Sequence, residues 1–135
     1  DASGLWNQFE QWKRDMLTLT LTTAREHDAA PYEILDFSVP GEITTEPFPA
    51  AGDSDTQMRY FYESIHYSQL TGALVLDQFN KRRNASTDSP TATFGRVMRE
   101  ESIEALLDEA RENQLRFRNR FPEYRQELDT IVKNR

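Results

Sequence analysis

Histidine and cysteine, the side chains whose ordinary pKa values lie nearest to neutral pH, are scarce in this chain. Its 135 residues include no cysteine and only two histidines, His27 and His66. Disulfides, thiolate metal sites and a cysteine nucleophile are therefore excluded. His27 follows Glu26 at the predicted end of a helix, where the helix dipole favours a cation, so we interpret it as structural. His66 lies three residues after Glu63 and is the stronger candidate for chemistry.

The spacing of Glu63 and His66 allows three interpretations. If the segment is helical, the two side chains share a face and can form an ordinary surface contact. An E-x-x-H pair can also ligate a di-iron site, but that site needs a second such pair, and the sequence has none. In the third interpretation His66 is the general base of a hydrolase and Glu63 orients it, which requires a serine nucleophile nearby. We expect no metal and no cofactor.

Aromatic residues surround His66 in the sequence. Tyr62 and Tyr67 are candidate substrate-binding residues, because their rings can stack on a sugar or line an acyl site. The alternative is a place in the hydrophobic core, which is the more usual role and which we favour for Phe61 and Tyr62.

Two elements precede this segment. Apolar residues alternate at spacings of four and three, which predicts one face of a helix from Gly4 to about His27. They are Leu5, Phe9, Trp12, Met16 and Leu19. The apolar run from Tyr32 to Val39, closed by Pro40-Gly41, predicts one buried strand. Because one strand cannot satisfy its own backbone hydrogen bonds, it would have to pair with strands outside this chain.

The remaining elements are predicted to be helical. A second helix, capped by Ser54 or Asp55, would carry both Glu63 and His66. A polar linker from Lys81 to Pro90 would follow it. Residues 91–135 form a helical tail, with one helix from Ser102 to about Arg120 and another from Pro122 to Val132.

The composition restricts the partners and the location. Asp and Glu number 23 against 16 Lys and Arg, for a net charge of −7, which argues against nucleic-acid binding. The longest apolar run is too short for a membrane span. The chain begins at Asp1 without methionine, so we expect a processed or excised segment.

Several segments of the chain carry a family resemblance. They are Leu35-Asp36-Phe37-Ser38, Ile43-Thr44-Thr45-Glu46-Pro47, Met58 to Tyr67, Leu74-Val75-Leu76-Asp77, Phe94-Gly95 and Ser102-Ile103-Glu104. Together they resemble the C-terminal part of bacterial SGNH (GDSL-like) hydrolase-family proteins. The most specific element is the Tyr-Glu-x-x-His-Tyr block at 62–67, with Gly72 six residues after the histidine.

This resemblance implies the fold class and the domain organisation. It implies an α/β chain, helix-rich here, that forms the C-terminal portion of a flavodoxin-like α/β/α fold. Residues 1–135 would be a single unit, the C-terminal half of that domain. The alternative is an all-α helical bundle, in which the segment from Tyr32 to Val39 is only a loop.

The resemblance also implies the roles of the site residues. His66 would be the general base, and Glu63 would orient it where the family usually has aspartate. The family's serine lies in a G-D-S block that precedes the matched part, so an N-terminal portion or a second chain must supply the sheet and the nucleophile. The tripeptide Gly52-Asp53-Ser54 has the same G-D-S sequence, and its serine lies twelve residues before His66. It lies in an acidic loop, and we interpret Ser54 as a helix cap.

Two functions follow from these observations. The first is the histidine-bearing half of a serine esterase or O-acyltransferase acting on acylated, carbohydrate-type substrates. It would be periplasmic or otherwise extracytoplasmic, and a membrane tether in the full-length protein is one form that this location could take. The second is a non-catalytic extracytoplasmic helical sensor or binding module, and a homo-oligomer is one state that it could adopt. The family scaffold could also persist without catalysis, because a fold does not fix a function.

Overall fold

The computed structural model describes residues 4–50, 52–63, 66–84 and 94–124. Its elements are α1 (Trp6–Glu26), β1 (Ile34–Asp36), α2 (Gln69–Asn84), β2 (Arg96–Met98) and α3 (Ile103–Arg120). The described part of the chain is thus helix-rich with one small sheet, β1-β2, which is an α/β class in the coarse sense. The all-α alternative is wrong. None of the described helices is long and apolar enough to cross a membrane.

The chain divides into two compact units. Unit 1 comprises Asp1–Leu35 and Val97–Arg135, and unit 2 comprises Asp36–Arg96. Unit 1 therefore contains α1 and α3, and unit 2 contains α2. Glu63 and His66 both belong to unit 2.

Helix α1 confirms the predicted helix, but its apolar face is not the face that is buried. Its buried residues are Glu10, Lys13, Leu17 and Ala24. The exposed fractions of Trp12 and Leu19, on the predicted face, are 55% and 63%. The spacing of apolar residues therefore predicted the helix correctly but did not predict which of its faces is buried in unit 1.

Helix α3 confirms the prediction of a helix from Ser102 to Arg120, and Ser102 is its N-cap residue. Glu104 lies in its first turn and Arg118 and Arg120 in its last turn, so the charges complement the helix dipole. Its buried face is apolar and consists of Ile103, Leu106, Leu107 and Ala110. Residues 122–124 are helical, and the rest of the predicted helix to Val132 lies outside the described residues.

A polar contact in unit 1 explains why Glu10 is buried. Only 4% of its side chain is exposed, and Arg111 binds its carboxylate through Nε at 2.8 Å and Nη2 at 2.5 Å. Trp6 Nε1 donates a further hydrogen bond at 2.5 Å. Arg14 also forms a bidentate pair with the Glu104 carboxylate, through Nε at 2.7 Å and Nη2 at 2.8 Å. Two Arg–carboxylate pairs thus connect α1 to α3.

These contacts make the stability of unit 1 dependent on pH. The hydrogen bond from Arg111 holds the pKa of Glu10 below its ordinary value, against the opposing effect of burial. The ionised carboxylate therefore stabilises the fold above the unfolded-state pKa, and this contribution is lost as the pH falls through the folded-state pKa. We expect the wild type to lose more unfolding free energy than Glu10→Gln between about pH 6 and about pH 3. Urea unfolding at both pH values measures this, and equal losses in the two proteins would contradict it.

Unit 2 is built around an aromatic core. Ile43, Tyr60 and Phe94 are buried, and Phe37, Phe61, Leu74 and Val75 pack against them. The rings of Phe37 and Phe94 meet edge to face with centroids 5.0 Å apart. Gly95 has φ of 76° and a Cβ there would lie 2.6 Å from the Phe37 ring, so only glycine fits this position.

Strand β1 is shorter than the predicted run from Tyr32 to Val39. It ends at Asp36, whose carboxylate accepts hydrogen bonds from the backbone N–H (2.8 Å) and the hydroxyl (2.6 Å) of Ser38. This turn ends the extended segment. The strand pairs with β2, so the prediction that its partners all lie outside this chain is wrong. Three residues of β2 are too few to give a recognisable pattern.

Helix α2 begins much later than predicted. It starts at Gln69, and the hydroxyl of Ser68 accepts the N–H of Thr71 at 3.4 Å, as an N-cap does. The predicted caps, Ser54 and Asp55, lie in a loop. The helix continues to Asn84, four residues into the predicted linker from Lys81 to Pro90, and residues 85–90 lie outside the described part of the chain.

Candidate functional site

Glu63 and His66 lie at the distal ends of two paired segments, residues 60–63 and 66–68, which are the arms of a short hairpin. Two backbone hydrogen bonds of 2.8 Å join its arms, and Phe61 and Tyr67 form an antiparallel bridge between them. The helical setting predicted for this pair is therefore wrong. Residues 64 and 65 lie outside the described part of the chain.

The base of the hairpin is fixed by a carboxylate that the sequence analysis did not single out. Glu46 accepts the backbone N–H groups of Arg59 at 2.5 Å, Tyr60 at 2.7 Å and Phe61 at 3.3 Å. These are three consecutive backbone donors at the start of the first hairpin arm. Glu46 therefore stabilises the start of the hairpin with charge-assisted hydrogen bonds.

The carbonyl side of the same segment is anchored by α2 and its cap. The Thr71 hydroxyl donates to the Tyr60 carbonyl at 2.7 Å, and the Ser68 hydroxyl donates to the Arg59 carbonyl at 2.9 Å. Thr71 and Ser68 are both buried. The hairpin thus extends from a fixed base, and its tip carries the candidate residues.

At the tip, the imidazole Nδ1 of His66 contacts the Glu63 carboxylate. The exposed fractions of the two side chains are 72% for His66 and 50% for Glu63. A carboxylate at Nδ1 favours the tautomer that carries its proton there, which leaves the lone pair of Nε2 available. Glu63 is the only hydrogen-bond partner of this imidazole within the described residues. The arrangement can accept a proton at Nε2 from a group brought to it.

The candidate substrate-binding tyrosines flank this pair on the surface. Tyr62 is 68% exposed and Tyr67 is 59% exposed, so the core position expected for Tyr62 is wrong. Phe61 is partly buried and packs against the core of unit 2, as expected. The Tyr67 ring lies against α2 at Gly72, where an added Cβ would sit 3.4 Å from it. A Cβ at this distance would make an ordinary van der Waals contact, so this packing does not require glycine at position 72.

The described residues supply no nucleophile to His66. The hydroxyl of Ser68 is used by the Arg59 carbonyl. Ser54 follows Asp53, whose carboxylate accepts the N–H groups of Asp55 and Thr56 at 3.0 Å each. Hydrogen bonds from Thr56 also lower the pKa of Asp53. The G-D-S letters thus form a local turn, and the prediction that Ser54 caps a helix is wrong.

No metal site is formed by the described residues, since they contain no group of three or more His, Asp or Glu side chains suited to hold an ion. His27 lies 36 residues before Glu63 in the sequence. It is the C-cap residue of α1, in unit 1. The structure therefore brings together Glu63, His66, Tyr62 and Tyr67 and leaves His27 out.

Sequence reasoning could have found Glu46 only through its neighbours. It belongs to the Ile43-to-Pro47 segment that carries the family resemblance, but no spacing in the sequence links it to residues 59–61. The three hydrogen bonds it accepts cross 13 to 15 residues of chain. Hydrogen bonds between residues this far apart produce no repeating pattern in the sequence from which they could be predicted.

Replacing Glu46 with alanine should loosen the hairpin. Three N–H groups lose a charged acceptor, and we expect a loss of about 2 kcal/mol in unfolding free energy. Amide exchange at Arg59, Tyr60 and Phe61 should accelerate. The matched control is Glu42→Ala in the same loop, because Glu42 accepts only a long, 3.4 Å hydrogen bond from the Tyr60 hydroxyl. Equal exchange rates in the two variants would contradict the anchoring role of Glu46.

Comparison of the chain with protein-family models, curated proteins and solved structures gave no match. The geometry of the hairpin is thus the basis for inferring a function.

Proposed function

We propose that this chain supplies the general base, His66, and its orienting carboxylate, Glu63, to a serine esterase or O-acyltransferase of the SGNH type. The observation that carries the proposal is the Glu63 contact at Nδ1 of an imidazole that has no other hydrogen-bond partner within the described residues. The serine belongs to a part of the protein N-terminal to this chain, or to a second chain. The assembly of this chain with that part is called the complete enzyme below.

The proposed reaction uses the two ring nitrogens in different ways. As the serine Oγ attacks the ester carbonyl, its proton moves to Nε2 of His66, and Glu63 stabilises the imidazolium through Nδ1. The tetrahedral intermediate then expels the alkoxide, which takes the proton from Nε2 and leaves an acyl-serine. Water, or the hydroxyl of an acceptor sugar, repeats the sequence with the acyl-enzyme. Water gives an esterase and a sugar hydroxyl gives a transferase.

The exposure of the pair supports the involvement of a further part of the protein. With exposed fractions of 72% and 50%, His66 and Glu63 are solvated, and charge stabilisation by a carboxylate is weak in water. A covering part that excludes water would strengthen the Glu63–imidazolium interaction. We therefore expect this chain alone to be inactive.

The proposed substrate class is an acylated carbohydrate outside the cytoplasm. Tyr62 and Tyr67, which neighbour the Glu63–His66 pair in the sequence, have exposed side chains, and aromatic faces suit the apolar faces of sugar rings. The extracytoplasmic location comes from the family resemblance.

The experiment that tests this proposal is Glu63→Gln in the complete enzyme. Glutamine keeps the size of the side chain but removes the charge that stabilises the imidazolium, so we expect kcat/KM on an acetylated sugar to fall at least about 100-fold. In this chain, ¹⁵N NMR of the imidazole should show the Nδ1–H tautomer of His66 being lost in the variant, with the His27 signals unchanged. Full activity of Glu63→Gln would refute the role of Glu63.

One observation favours the second candidate, a non-catalytic binding module. Helix α1 exposes Trp12 and Leu19, and the stacked rings of Phe9 and Trp12, 5.8 Å apart, belong to the same apolar face. Large exposed apolar side chains often mark contact surfaces. An inactive complete enzyme with an intact Glu63–His66 contact would favour this candidate over the hydrolase.

A further inference from the structure

Unit 2 contains a cavity that the proposed reaction does not use. Its volume is about 320 Å³, within the range of small-molecule sites. Since one water occupies about 30 Å³ in the liquid, a ligand of roughly ten non-hydrogen atoms fits. The wall is mostly apolar and is formed by Val39, Ile43, Tyr60, Leu70, Leu74 and Phe94, with Gly41, Glu42, Thr44 and Arg59 completing it.

The apolar wall is part of the core of unit 2. Ile43, Tyr60 and Phe94 are buried against one another, so the base of the cavity is held in place by packing. Leu70 lies on α2 and is 40% exposed, which places it where the cavity opens. An apolar group that enters would exchange water for contact with these side chains, which is favourable.

Two charged side chains line the same cavity, and they differ in their partners. Glu42 accepts a hydrogen bond from the Tyr60 hydroxyl at 3.4 Å. The guanidinium of Arg59 lies over the Tyr60 ring, 5.1 Å from its centroid. Within the described residues it makes no ion pair. Its planar set of N–H donors fits a carboxylate well.

We propose that this cavity binds a small amphiphilic carboxylate of about six to eight carbons, with its alkyl chain against Ile43, Leu70 and Phe94 and its carboxylate on Arg59. Hexanoate and octanoate contain eight and ten non-hydrogen atoms, which suits the volume of the cavity. This proposal does not depend on the proposed reaction at His66. It assigns a second site to unit 2, on the opposite part of the hairpin from the tip, since Arg59 and Tyr60 belong to the hairpin base.

Titration of the chain with hexanoate, followed by ¹H–¹⁵N NMR, tests the proposal directly. We expect saturable shifts at the amides of Ile43, Thr44 and Tyr60 with a Kd of about 1 mM or lower. Hexan-1-ol, which lacks the charge, should bind at the same amides about threefold to fivefold more weakly. The absence of saturable shifts at these amides up to about 10 mM hexanoate would overturn the proposal.

Two leucines of α2 provide a matched pair of variants. Leu70 lines the cavity and Leu76 does not, although both are exposed, at 40% and 64%. Leu70→Trp should fill the opening and weaken hexanoate binding at least tenfold. Leu76→Trp should leave it unchanged. Equal binding by the two variants would place the ligand elsewhere and overturn the proposal.

The charged residues predict effects of opposite sign. Arg59→Gln should weaken hexanoate binding about threefold to fivefold and leave hexan-1-ol binding unchanged. Glu42→Gln should strengthen hexanoate binding, because it removes a like charge from the cavity. Both residues are exposed, so both variants should fold. If Arg59→Gln leaves hexanoate binding unchanged, the proposed orientation of the ligand is refuted.

Discussion

Replacement of Arg111 by alanine should lower the unfolding free energy, with the largest stability effect we expect from a single charged residue, because it removes the bidentate partner of the Glu10 carboxylate. The variant leaves Glu10 with only 4% of its side chain exposed. Its remaining partners are Trp6 Nε1 at 2.5 Å and Arg14 at 3.9 Å. A buried carboxylate without its bidentate partner must become protonated or draw in water, and both cost free energy.

The measurement is chemical unfolding followed by tryptophan fluorescence. Both tryptophans, Trp6 and Trp12, belong to α1, so the signal reports on unit 1. The matched control is Arg116→Ala on the same helix, because the Arg116 side chain is 69% exposed and its ion pair with Glu112 is 3.9 Å long. We expect the control to change stability by less than about 0.5 kcal/mol.

A double variant separates the burial of Glu10 from the loss of packing. Glu10→Leu combined with Arg111→Ala removes the Glu10 carboxylate together with its partner, so it should be less destabilised than Arg111→Ala alone. If the single and the double variant lose the same unfolding free energy, the loss arises from the missing packing of the Arg111 side chain. That result would contradict the explanation by the Arg111–Glu10 ion pair.

The same residues show what the sequence could not specify in unit 1. The length of α1 follows from local periodicity, and its predicted and observed bounds differ by two residues or fewer. Its buried side depends on Arg111, which lies 101 residues from Glu10. A lone glutamate in a helix gives no sign that an arginine so distant in sequence will bind it. The exposed apolar face was therefore easier to recognise than the buried polar one.

In unit 2 the sequence correctly predicted that Glu63 and His66 are close together, but the predicted helical backbone around them was wrong. Met58, Phe61 and Ile65 are spaced by three and four residues, as on one face of a helix, but Glu46 and Thr71 bind the backbone groups at 59–61. These hydrogen bonds replace those of a helix, and a hairpin results. Glu63 and His66 still meet, because a separation of three residues is short enough in either conformation. Local proximity could thus be predicted from the sequence, whereas its structural setting could not.

Replacement of His66 by alanine in the complete enzyme should reduce kcat/KM by at least about 1,000-fold, the largest functional effect we expect. The loss should appear in kcat, because the imidazole transfers a proton in the transition state and need not bind the ground-state substrate. His27→Ala removes the other histidine of the chain and should leave the activity within about twofold of wild type, since His27 only ends α1.

A loss of folding cannot imitate this result, because the His66 side chain is 72% exposed and its removal should change stability by less than about 0.5 kcal/mol. Unfolding curves of the variant and the wild type should therefore overlap while their turnover differs. A His66→Ala enzyme with wild-type turnover would refute the hydrolase proposal even if Glu63→Gln proved inactive, because Glu63 is proposed to act only through the imidazole. Parallel losses in both variants, with the larger loss at His66, are the result that a base and its orienting carboxylate require.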